Sequence, residues 1–207
     1  MNWDLIFSVG WKILAVLFLV LLNGFFVAAE FALVKVRDTQ LEGLVVKGHR
    51  RAKMARKILH NLDEALSSTQ LGITLASLGL GWIGEPVFVV LLQPVIKLLH
   101  IQSVEMQHSI AVVVGFASIT FLHIVAGELA PKSLAIRKSL HTSLWVAIPL
   151  NVFYRISFPM IWMLNHTANW LLRRFGIEPV TEGELVHSEE ELRLIVGASH
   201  KHSGGLA

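Results

Sequence analysis

Two stretches of this chain stay apolar for longer than a soluble fold usually allows. Residues 14–34 are 21 in a row broken only by Asn23, Gly24 and Glu30, and residues 109–130 are 22 of similar character. About 20 such residues cross the hydrocarbon of a bilayer as a helix. The rest of the chain agrees: 16% of residues are charged and mean hydropathy is +0.60, against about a quarter charged in soluble domains. The sequence predicts an all-α integral membrane protein. A cleaved signal peptide fits the first run poorly, because its apolar core is too long and no small-residue cleavage site follows.

Charge gives the orientation. Residues 35–57 hold eight Lys or Arg against Asp38 and Glu42. Directly after an apolar run, such a block reads as a cytoplasmic juxtamembrane loop rather than a nucleic-acid surface. The N-terminus is then outside, in a cell (inner) membrane. Residues 100–108 carry no Lys or Arg and suit an outer loop, and Lys132, Arg137 and Lys138 return the chain to the cytoplasm.

To keep that parity, residues 66–99 must cross once. The stretch LGLGWIGEP at 78–86 predicts a break, with a crossing helix over 66–83 and a re-entrant or outer-interface piece over 86–99. Residues 140–172 have basic residues at both flanks and Pro149, Arg155 and Pro159 inside. They predict a pair of short helices dipping into the inner leaflet, with Trp145, Trp162 and Trp170 at interfacial depth. The expectation is three crossings within a membrane domain, 1–180. Residues 181–207 follow as a short acidic cytoplasmic helix and tail, opened by the capping-box spacing of Ser188 and Glu191.

Ionisable groups inside a span cost roughly 2.5–3.5 kcal/mol or more, so they are candidate functional groups. Glu128 is the sharpest. Pro131 has no amide hydrogen, so the carbonyl of Gly127 loses its helical partner next to that carboxylate. Bare carbonyls beside acids in broken membrane helices form cation sites. The plain alternative is an ion pair of Glu128 with Lys132, one turn on. Asn23 and Glu30, seven apart, share a helix face; a helix-packing role and a pathway role both fit them. Gln70, Thr74, Ser77 and Gly81 step by four, three and four. They form one polar, small stripe, suited either to close helix packing or to offering oxygens to the same ion. With no Cys in the chain, the donors are oxygens, which suit Mg²⁺, Ca²⁺ or Na⁺. His123 reads as a packed hydrogen-bonding group. No HExxH, GxSxG or phosphate-binding glycine loop is present, so enzymatic chemistry is not expected. A hydrolase built from the Ser-rich start of the second span and His123 lacks any supporting geometry.

Three motifs in order, LLNGFFVAAEFALVKVR, LSSTQLGITLASLGLGWIGEP and GELAPKSLA, resemble the membrane domain of the CorC/CorB–CNNM magnesium transporters, many of them called hemolysin-like. The resemblance covers about residues 5–198. It implies three membrane helices with a juxtamembrane belt, a homodimer, and export of Mg²⁺ driven by inward Na⁺, with a largely dehydrated ion held between helices. Glu128 and Pro131 match the family's Gly-Glu-x-x-Pro-Lys element. Glu30 matches its Phe-Phe-Ser-x-x-Glu acid, with Val27 at the serine. Ile73 and Ser77 stand where the second span often has asparagines. In the family, nucleotide-binding modules and an accessory domain follow the acidic helix. These residues carry neither, so the chain is expected to be either part of a longer protein or a short member, without ATP regulation of its own. Two other readings stay open: a non-transporting membrane scaffold, and a Na⁺- or proton-coupled carrier of another solute.

Overall fold

The computed structural model describes residues 3–98 and 103–176, and every element among them is helical. In chain order these are α1 (Trp3–Lys35), α2 (Asp38–Val46), α3 (Arg50–Leu59), α4 (Leu62–Leu98), α5 (Val104–Leu122), a π-helical segment (His123–Leu129), α6 (Ala130–Arg137) and α7 (Ser139–Arg174). Residues through Trp162 form one compact unit, and Met163 begins a second. The expected acidic helix at 181–207 and most of the expected outer loop at 100–108 differ in status: the former lies outside the described residues, and of the latter residues 103–108 are seen, with α5 starting at Val104.

Four helical stretches, Val9–Lys35, Leu62–Leu92, Val104–Arg137 and Ser139–Arg174, are long and apolar enough to cross a membrane. Their outward faces carry large apolar side chains such as Phe18, Leu21, Phe121 and, at 85% exposure, Trp82. Water would penalise such a surface and lipid does not. The molecule is an all-α, multi-pass membrane protein.

Three sequence expectations are corrected. The break at 78–86 is absent, and α4 runs unbroken through Pro86. Two of the three glycines at 78–86 serve packing instead: a Cβ built on Gly79 would sit 3.3 Å from Leu19, and one on Gly84 only 1.8 Å from Ile119. Likewise, the pair of short helices over 140–172 is one helix of 36 residues with Pro149 and Pro159 inside it. Each proline removes one backbone bond, which a membrane helix sustains more cheaply than it exposes a whole turn to lipid.

The basic loop is the third. It folds into α2 and α3, which turn on Gly48 at φ +79°. Ala52, Ala55 and Ile58 are buried along one stripe of α3, while Arg50, Arg51, Lys53 and Lys57 remain exposed. The Arg56 guanidinium forks onto Asp38 at 2.9 and 3.0 Å, fastening α3 to α2.

Two apolar clusters hold the helices together. Phe26, Ala29 and Leu33 of α1 pack with Leu41, Ala55, Ile58, Ala65, Val146 and Leu150, joining α1, α2, α3, α4 and α7. Further along α1, Val16 and Val20 pack with Leu80, Val87 and Ile119 of α4 and α5. Ala28 and Ala32 meet Ala135, so small residues let α1 and α6 approach closely.

Candidate functional site

The site grows from the π segment. Across His123–Leu129 the helix widens by one residue per turn, and the Ala130 N–H reaches back to the Val125 carbonyl. Single-turn π insertions are rare and recur at functional sites. Pro131 follows directly with no N–H to give, so carbonyls of the widened turn lose their donor. The helix is therefore not unwound at Pro131, as the sequence suggested; it widens and then resumes as α6.

One of those carbonyls finds its partner on α1. Asn23, 2% exposed, donates its Nδ2–H to the Gly127 oxygen at 2.9 Å. Two glycines permit the approach. A Cβ on Gly24 would lie 2.9 Å from Pro131 Cγ and 3.4 Å from the Ala126 oxygen; one on Gly127 would lie 3.3 Å from Asn23 Nδ2.

The other end of the Asn23 amide accepts from Ser77 Oγ at 3.1 Å, and Ser77 Oγ also lies 3.3 Å from His123 Nε2. A hydroxyl has one hydrogen to give. With that hydrogen on Asn23, His123 must carry its own on Nε2 and donate to Ser77. The chain His123–Ser77–Asn23–Gly127 thus ties α4 and α1 to the π segment.

Beside this network lies a cavity of about 290 Å³, lined by Asn23, Val27, Glu30, Phe31, Gln70, Ile73, Ser77, His123 and Glu128. Glu30 stands two turns below Asn23, about 10 Å along the helix, and accepts from Gln70 Nε2 at 3.4 Å. Glu128 is exposed and, among the described residues, takes part in no ion pair. The Lys132 ammonium instead sits 4.4 Å from the centroid of the Phe31 ring, a cation–π placement. The plain pairing of Glu128 with Lys132 is thus not what the structure shows.

Of the residues chosen from sequence, Asn23, Glu30, Gln70, Ser77 and Glu128 line one cavity, and the Gly127 carbonyl and Pro131 stand behind it. Thr74 and Gly81 do not join them. The Thr74 side chain is exposed and its hydroxyl donates to the Gln70 carbonyl at 2.8 Å. A Cβ on Gly81 would meet nothing within 4 Å. The 100° step between successive helical residues explains the split: Gln70, Ile73 and Ser77 face the cavity, and Thr74 is carried past its edge. Sequence reasoning left out Phe31 and the cavity-facing position of His123. For His123 the signal was its place inside an apolar run; for Phe31 there was none. Val27 and Ile73, where the family pattern has polar residues, both stand in the cavity wall.

No three His, Cys, Asp or Glu side chains converge on a metal position among the described residues. The polar groups at the cavity wall are two carboxylates, two carboxamides, the Ser77 hydroxyl and the His123 imidazole, whose Nε2 is turned to Ser77; the Gly127 carbonyl behind them is held by Asn23. A hard cation is the species such a set would recognise.

Helices long and apolar enough to span, packed around a polar cavity, define a multi-pass membrane protein. The chain belongs to the CNNM family: the profile of the Cyclin M transmembrane N-terminal domain matches residues 13–206. It is similar to UPF0053 protein YrkA of Bacillus subtilis (strain 168), 47% identical over 183 residues, 88% of this chain and 42% of the relative. UPF0053 protein YhdP of the same organism is 46% identical over 190 residues, 92% of this chain and 43% of the relative. A more distant relative, the uncharacterized protein MT1889 of Mycobacterium tuberculosis (strain CDC 1551 / Oshkosh), is 33% identical over 187 residues, 90% of this chain and 53% of its own length. The chain therefore spans roughly half, or less, of the relatives it matches. The kinship with the CorC/CorB–CNNM membrane domain read from the three motifs is correct.

Proposed function

We propose that this chain is the membrane domain of a Mg²⁺ transporter, passing the ion through the cavity between α1, α4 and the π segment. The observation that carries the reading is the convergence of Glu30, Glu128, Asn23, Gln70 and Ser77 on one cavity between helices long enough to cross a membrane. Holding acids at membrane depth is costly unless a cation or partner compensates. Glu128 has no ionic partner among the described residues, so a transported cation would supply the missing charge. The oxygens that dominate the cavity wall, with His123 Nε2 turned to Ser77, favour Mg²⁺ or Na⁺ over softer metals.

Efflux, coupling to Na⁺ and homodimeric assembly follow from the family resemblance rather than from the geometry. The same holds for an inner-membrane setting with the N-terminus outside and the C-terminus cytoplasmic. Three crossings, by α1, α4 and α5–α6, keep the basic α2–α3 pair and Arg137 on one side. The packing of α7 supports placing that helix along the inner leaflet. Trp145 and Phe153 are about 12 Å apart along α7. Yet their rings meet the adjacent Phe25 and Phe26, at 5.9 and 4.7 Å between centroids. Side-by-side helices would spread those contacts over two turns of α1, so α7 crosses α1 steeply.

A non-transporting scaffold is the second reading, favoured by one observation: both polar atoms of the Asn23 side chain are hydrogen-bonded, tying α1 to α4 and the π segment as a packing device. Mg²⁺ flux into proteoliposomes separates the two. Transport abolished by Glu128→Gln supports the transporter; an intact, folded protein with neither flux nor Mg²⁺ binding supports the scaffold. Na⁺-dependent flux of another solute, insensitive to Mg²⁺, would identify a carrier of that solute.

A further inference from the structure

A second cavity, of about 270 Å³, opens where α3 and the start of α4 meet the middle of α7. It shares no residue with the ion cavity. Lys57 and Arg155 stand at its wall, and among the described residues neither charged group has an ion pair or side-chain hydrogen bond. The one acid there, Glu64, already accepts from the Tyr154 hydroxyl. Two cations against one occupied carboxylate leave a surplus positive charge. Asn151 adds a carboxamide, while Ile58 and Leu150 contribute apolar surface.

We infer that this cavity binds the phosphodiester headgroup of an anionic phospholipid, with Arg155 and Lys57 on the phosphate and the apolar wall against the glycerol and first methylenes. The inference rests on the membrane reading of the fold and not on the ion site. Its location supports lipid over a soluble anion. The cavity adjoins the basic face of α3, where Arg50, Lys53 and Lys57 are exposed, and basic pockets beside membrane helices on the cytoplasmic side are where acidic headgroups bind. Its volume falls below the roughly 300–1,000 Å³ of clefts that enclose larger ligands, which suits a headgroup better than a nucleotide. Guanidinium geometry matches a phosphate's paired oxygens.

The test uses the full chain in nanodiscs of phosphatidylcholine with a minor share of spin-labelled phosphatidylglycerol, reading the immobilised fraction of label. Wild type should retain phosphatidylglycerol over phosphatidylcholine. Each of Lys57→Gln and Arg155→Gln should lower that preference about fivefold, the worth of one cation near an acidic headgroup, while Arg51→Gln, elsewhere on α3, should change it little. Circular dichroism verifies that the variants keep their helices. Equal retention of both lipids by wild type, or an equal loss in Arg51→Gln, would overturn the inference. So would displacement of the lipid by millimolar inorganic phosphate, which would mark a free-anion site. None of these readouts depends on Mg²⁺ flux, so the site stands or falls apart from the transport proposal.

Discussion

The Nδ2–H of Asn23 donates to the carbonyl of Gly127 across 2.9 Å, joining the middle of α1 to a π-helical turn that Pro131 leaves short of donors. An asparagine in an apolar span thereby completes a backbone group 104 residues away. That bond joins two walls of the polar cavity.

Replacing Asn23 with Leu strands the Gly127 oxygen and takes away the acceptor of Ser77. A buried polar group left unsatisfied costs about 1–3 kcal/mol, and hydrogen bonds between membrane helices average nearer 0.6. The expected loss is about 1 kcal/mol for Asn23→Leu, and less for Ser77→Ala, which leaves the Gly127 bond in place. Reversible unfolding in mixed micelles measures both. An Asn23→Leu protein as stable as wild type would contradict the assignment.

Pro131→Ala restores a backbone N–H that can compete with Asn23 for the carbonyls of the widened turn. The variant should keep its fold and helical content. Its Mg²⁺ affinity should fall about fivefold, corresponding to one hydrogen-bond-sized change of about 1 kcal/mol. Titration calorimetry reads this directly, and unchanged affinity would show that the π segment does not shape the site.

The prolines also show what could and could not be read beforehand. Asn23, Glu30, Ser77 and Glu128 were legible because a polar group in an apolar run is expensive and must have a reason to be there. Pro86, Pro149 and Pro159 misled for the converse reason. Each signals a helix end in water, where freed backbone groups find solvent. In lipid, losing one bond costs less than exposing a turn, and α4 and α7 continue. Thr74 and Ser77 look equivalent as small polar residues, and only the true orientation of α4 against α1 separates them. The π widening has no sequence signature of its own, so the exact neighbours of Gly127 stayed hidden.

At the membrane's basic side, the Arg56 guanidinium beside Asp38 holds that carboxyl below the usual carboxylate range. A depressed carboxylate stabilises the fold above its unfolded pKa, and the contribution is lost as pH falls through the lowered folded value. The clasp between α2 and α3 should thus be complete at neutral pH and open only below the ordinary carboxylate range. Spin labels at positions 43 and 53 should report one α2–α3 distance near neutrality and a broadened one in acid, and Asp38→Asn should show the broadened distribution at every pH. A wild-type distribution independent of pH would remove the clasp from the account.

Glu128, without an ionic partner among the described residues, is the group proposed to meet a moving Mg²⁺ ion. Mg²⁺ flux in proteoliposomes carrying a fluorescent Mg²⁺ indicator, compared between wild type and Glu128→Gln at matched folding and reconstitution, tests it most directly. The account predicts that the wild-type protein moves the ion and that the neutral variant does not. Flux through Glu128→Gln at the wild-type rate would contradict it.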